Sequence, residues 1–66
     1  MNRFVTLQTP YGGKVVVNAF NILYFHNSRN DRVEIFFSGI AEPLEVEGDY
    51  DSVRDEIWSE MEEANG

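Results

Sequence analysis

Sixty-six residues without a cysteine, with twelve acids against five Lys and Arg and a net charge of −7, describe one small acidic domain. The length leaves little room for an enclosed substrate cavity of a few hundred Å³, the missing cysteines exclude disulfides and thiolate metal sites, and a single histidine, His26, excludes a multi-histidine centre. The chain is 42% hydrophobic and 14% aromatic, too apolar for disorder, and no run approaches the roughly 20 apolar residues of a membrane span.

Residues 3–8 are rich in strand formers. Thr9-Pro10-Tyr11-Gly12-Gly13 reads as a hairpin turn, because proline fixes φ and glycine accepts positive φ. Lys14 to Asn18 gives a second strand, with Val15 and Val17 on one face and Val16 on the other. Phe20 to His26 is a third apolar run, Phe20, Ile22 and Tyr24 alternating with Leu23 and Phe25. Asn27 to Asp31 is a polar turn. Arg32 to Ser38 alternates most clearly: Val33, Ile35 and Phe37 face one way, Glu34 and Phe36 the other. Gly39 and Pro43 bracket a loop. Leu44 to Glu47 is a short fifth strand.

After Gly48 the period changes from two to about 3.6. Asp49 is placed to cap a helix, and Asp51 stands near its positive end. Tyr50, Val53, Ile57 and Met61 share one helical face. The expected fold class is therefore α+β: a small twisted antiparallel sheet of four to five strands followed by one C-terminal acidic amphipathic helix. It forms a single domain over 1–66, with the sheet in 1–47 and the helix in 49–63. The expected core is Val5, Leu7, Val15, Val17, Ile22, Tyr24, Val33, Ile35, Phe37, Leu44 and Val46 under Val53, Ile57 and Met61.

Charge divides along the chain. Residues 1–41 carry four cations against Asp31 and Glu34, whereas residues 42–66 carry ten acids against Arg54 alone. Such an acidic segment repels phosphate backbones and steers basic partners toward it. Direct nucleic-acid binding is disfavoured on that ground, although Arg3, Lys14, Arg29 and Arg32 could form a small basic patch with Tyr11 or Tyr24.

Two surfaces are candidates for binding. Phe4, Val16, Leu23, Phe25 and Phe36 fall on alternate strand positions that the first core does not need. An open antiparallel sheet normally has one polar face. These residues are either covered, by closure into a small barrel or by loops, or they form a homodimer or partner interface. The second surface is the helix, with Asp55, Glu56, Glu60, Glu62 and Glu63 around Trp58. It is either a solvated face that keeps the domain soluble or one that imitates nucleic-acid phosphates.

Catalytic and ligand motifs are weak. His26 at a strand end reads as a surface residue, and the serines have no evident base nearby in sequence. Gly48-Asp49-Tyr50-Asp51-Ser52 is too short for a calcium loop, and Gly12-Gly13 lacks the lysine of a phosphate loop. No catalytic residue, metal or cofactor is expected.

Val17-Asn18-Ala19, Ile22, Val33-x-Ile35, Gly39, Val46 and Val53 resemble the layout of the small flagellar FlbD-like family of bacterial and phage-borne proteins, over roughly residues 3–58. The chain departs from that layout in its longer acidic helix and in Glu42-Pro43. The third and fourth strands also look a little like LytTR DNA-binding domains, without the basic contacts expected of those. The FlbD-like resemblance implies a small binding or regulatory protein without catalytic residues.

The expectation from all this is a non-enzymatic protein–protein interaction module that self-associates through an aromatic sheet face. The alternative is a phage or mobile-element inhibitor whose acidic helix mimics nucleic acid. It would block a host nucleic-acid-binding protein such as a polymerase, a nuclease or a CRISPR effector. The expected setting is the cytoplasm, because the start of the chain lacks the apolar core of a secretory signal and cysteine is absent.

Overall fold

The computed structural model describes residues 3–65, with side chains through residue 62. Five strands precede one helix: β1 (Phe4–Gln8), β2 (Lys14–Asn18), β3 (Ile22–Asn27), β4 (Arg32–Phe37), β5 (Leu44–Glu47) and α1 (Tyr50–Asn65). The α+β class and the element order match the sequence reading. The division of the strands does not. They form two antiparallel sheets, β1-β2 and β3-β4-β5, rather than one.

Two turns of different chemistry close the hairpins. In the first, the Thr9 amide donates to the Gly13 carbonyl at 2.7 Å and the Thr9 hydroxyl donates to the same oxygen at 2.8 Å. Gly12 adopts φ 95°, which glycine reaches without steric cost. In the second, Asn30 (φ 59°) and Asp31 (φ 55°) both take the left-handed conformation that short polar side chains tolerate best.

The break between the sheets has a local cause. Asn18 ends β2, and its Oδ1 accepts from the Phe20 amide at 3.1 Å, which winds Ala19–Asn21 into a 3-10 turn. Phe20 is thus removed from the third strand, and the chain leaves β2 without a hairpin that would pair it to β3. β1 comes close to β5 but joins it in no ladder.

The core lies between the two sheets and α1. Val33, Ile35 and Val46 are fully buried, with Val5, Leu7, Val17, Ala19, Phe37, Val53 and Ile57 around them. Full burial of each such side chain contributes about 1.5–3 kcal/mol. Val15, Ile22, Leu44 and Met61 are half-buried against this cluster. The expected core thus stands except at Tyr24, which is exposed; Phe25 takes the inward position instead. The reason is a bulge. The β3–β4 register shifts between Ile22 and Tyr24, so Ile22 pairs with Phe37 while Tyr24 pairs with Phe36. One extra residue, Leu23, reverses the alternation beyond it.

The helix begins where its cap was expected. The Ser52 amide donates to Asp49 Oδ2 at 3.4 Å, and hydrogen bonding from the Ser52 side chain, then from its amide, holds the Asp49 carboxyl below the usual carboxylate range. Gly48 precedes it at φ 118°, and its amide donates to the Asp31 carbonyl at 2.9 Å, which ties the helix start to the β3–β4 turn.

Candidate interaction surface

The bulge decides which aromatic rings face solvent. Tyr24 and Phe36 are cross-strand partners on the outer face of the three-stranded sheet, and their rings stack with centroids 4.5 Å apart. His26 stacks on Phe36 from the other side at 5.7 Å, while its Nε2 lies 3.2 Å from Glu34 Oε1 and its Nδ1 3.0 Å from the Asn27 carbonyl. Farther across the same face, Arg32 meets Glu45 at 3.1 Å and Glu47 at 3.6 Å. This face is an aromatic row beside an ion-pair network.

The five apolar positions expected to share one face are therefore dispersed. Phe4 and Val16 lie exposed on the β1-β2 sheet. Phe36 is half-buried on the outer face of β4, and Phe25 turns inward to Tyr50, ring centroids 5.4 Å apart. Leu23 stands on the bulge and is 65% exposed. Only Leu23 and Phe36 remain near the outer rim of β3.

A different concavity gathers what the alternation pattern scattered. Leu23, Tyr24 and Phe25 of β3 face Tyr50, Ile57, Trp58 and Met61 of α1 across a groove of about 340 Å³, with Ala19 and Ile22 at its floor and Arg54 on its rim. Trp58 is 60% exposed and stands on the same rim. Tyr24, Tyr50 and Trp58 were not grouped by the sequence. Trp58 follows the buried Ile57 on α1, and Tyr24, whose ring the bulge turns to the outer face, borders the groove at the edge of β3.

The acids of α1 run from beside Trp58, where Asp55 lies with Arg54, round to the β1 side at Glu56 and Glu60. Asp51, Asp55, Glu56 and Glu62 are exposed and Glu60 is half-buried; the side chain of Glu63 lies outside the described residues. Arg54 is held between Asp51 at 3.5 Å and Asp55 at 3.2 Å, so the helix's one cation is paired within the helix. A shallow shelf of about 510 Å³ joins Phe4 to Asp55, Glu56, Ser59 and Glu60. It brings one ring of the first candidate surface beside three acids of the second.

Among the described residues, no helix is long and apolar enough to cross a membrane. Comparison with protein-family models, curated proteins and solved structures gives no match.

Proposed function

We propose that this chain is a small non-enzymatic protein-interaction module that self-associates through the aromatic rim where β3 meets α1. The observation that carries this reading is the convergence of exposed Leu23, Tyr24 and Trp58 on one groove beside a strand edge that has no partner strand among the described residues. Exposed apolar clusters on small domains mark contact surfaces, and tryptophan and tyrosine are the side chains that most often anchor them. A domain of this size also gains from burying a second copy's surface. The implied role agrees with what the FlbD-like resemblance suggests.

Sedimentation equilibrium tests it. The wild-type chain is expected to dimerise in the micromolar to millimolar range. Leu23→Ser combined with Trp58→Ser should keep the circular dichroism spectrum and remain monomeric. A wild-type chain that stays monomeric over that range refutes self-association.

The acidic helix supports a second reading, docking onto a basic nucleic-acid-binding protein as a phage or mobile-element inhibitor. Its basis is the exposure of Asp55, Glu56 and Glu62 with Arg54 already paired. Binding of that kind weakens steeply with salt and fails on Glu56→Lys with Glu60→Lys.

A further inference from the structure

We propose that two copies of this chain join edge to edge through β3, antiparallel about a two-fold axis at Phe25, making one continuous sheet from two three-stranded ones. The inference rests on the self-association proposed above and supplies its geometry.

The main chain points that way. In antiparallel ladders, residue pairs that exchange hydrogen bonds alternate with pairs that do not. The Ser28 amide donates to the Arg32 carbonyl at 2.6 Å, which sets the phase. His26 opposite Glu34 and Tyr24 opposite Phe36 are then the bonded pairs. Phe25 and Asn27 turn their amides and carbonyls to the open edge. About an axis at Phe25, the two copies of Phe25 exchange hydrogen bonds with each other, and the new ladder ends where Asn27 of each falls opposite the bulge residue Leu23 of the other.

The two edges of the three-stranded sheet differ in their protection. β5 is four residues long, follows Pro43 and carries Glu45 and Glu47, the features that keep strand edges from pairing. β3 is six residues long, Ile-Leu-Tyr-Phe-His-Asn, without an acid or a cation other than a protonated His26. In a chain of net charge −7, it is the edge of this three-stranded sheet that a second copy can approach without opposing carboxylates on the strand itself.

The same register makes side chains complementary. Tyr24 of one copy lies opposite His26 of the other, both on the outer face and both already stacked on Phe36. Two aromatic rows thereby become one. Arg29, exposed and without an ion pair among the described residues, lies two residues beyond β3. In the paired arrangement it reaches the Asn21 end of the second copy. There the helix passes with Trp58, beside which Asp55 and Arg54 lie, because α1 packs on the 3-10 turn. A cation thus meets an acidic, aromatic helix surface across the axis.

Salt separates this occupant from a basic partner. Two chains of like charge repel, and salt screens that repulsion over a Debye length of about 8–10 Å. Self-pairing should therefore tighten with salt, whereas docking of a cationic segment on the acidic helix should loosen.

The test is sedimentation equilibrium of the full chain at about 0.05 M and about 0.5 M salt. Amide exchange by NMR is followed at low and high protein concentration. Association is expected to strengthen several-fold with salt. Exchange at Phe25 and Asn27 should slow as concentration rises, while Tyr24 and His26 are protected throughout. Leu23→Glu should weaken the dimer by about tenfold or more. Val16→Glu adds the same charge at a comparably exposed position on the other sheet and should leave it near wild type. Asn27→Pro removes an edge donor and no bond within the chain, and should also weaken it. A dimer that Val16→Glu disrupts as strongly as Leu23→Glu keeps the self-association reading and overturns the β3 pairing. A monomer at every concentration and salt overturns both. A monomer that instead binds an arginine-rich peptide, more weakly in salt, assigns the surface to a cationic partner.

Discussion

Tyr24 lies nearly parallel to Phe36, 15° between ring planes, while the next residue along the chain tilts inward against the helix. Adjacent aromatic residues thus serve opposite faces of one sheet. Tyr24→Ala should lose ring stacking on a largely solvated face and cost about 1 kcal/mol. Phe25→Ala removes a ring packed against the core and Tyr50, and should cost about 2 kcal/mol or more. Urea unfolding of the two variants checks the order; equal losses would place both rings on the same footing.

Ile35 is fully buried at the centre of β4. Ile35→Ala should cost about 2–5 kcal/mol. Total stability of small domains runs at about 0.05–0.15 kcal/mol per residue, so this single substitution is expected to leave much of the population unfolded at 37 °C. Far-UV circular dichroism against temperature reads the loss directly.

The alternating pattern of β4, the hairpin turns and the helix start were legible in the sequence, because each depends on residues close together in the chain. Val33, Ile35 and Phe37 face the core as their spacing required, and Asp49 caps α1. The phase of β3 was not legible. It turns on one extra residue at Leu23, and that bulge is fixed by pairing with β4 and packing against Tyr50, both remote in sequence. The division into two sheets was hidden in Asn18, whose side chain caps the Ala19–Asn21 turn where an apolar run suggested a strand already begun. The groove between β3 and α1 was hidden for the same reason, since Leu23 and Trp58 are brought to it by contacts remote in sequence.

Asp49 carries a pH dependence of known sign. Its carboxyl titrates below its ordinary value because it accepts hydrogen bonds at Ser52, so its contribution to stability is complete above the ordinary carboxylate range and lost as pH falls through the lowered folded value. Asp49→Ala should lower the melting temperature at neutral pH and flatten its decline in acid, whereas Asp49→Asn should retain most of the neutral-pH value. Thermal melts from pH 7 downward read both effects.

Gly48 holds φ 118°, and a methyl group added there would lie 3.4 Å from Val53 Cγ2. Gly48→Ala should cost about 1–3 kcal/mol through backbone strain. Gly39→Ala, at φ 81° with open space around it, separates strain from crowding: the difference between the two melts reports the contact with Val53.

Arg32 stands between two carboxylates of the neighbouring strand, on a partly exposed face. Arg32→Met should cost about 0.5–1 kcal/mol at low salt and less at high salt, because Glu45 and Glu47 are then left as unpaired like charges beside Glu34. Parallel denaturation at the two salt concentrations measures the difference; a salt-independent loss would point to packing of the arginine stem.

Every hydrogen-bonded strand pair joins neighbours in the sequence: β1 with β2, β3 with β4, β4 with β5. The two sheets meet in one buried cluster, where Val53 and Ile57 of the helix lie with Val5 and Leu7 at the far end of the chain. Strand pairing is thus local in sequence, and the contacts of β1 with α1 and β5 are the ones that span the longest stretches of chain. The acidic segment that dominates the chain's charge is also the fastener of its architecture. A partner that pulled on that helix would loosen both sheets at once.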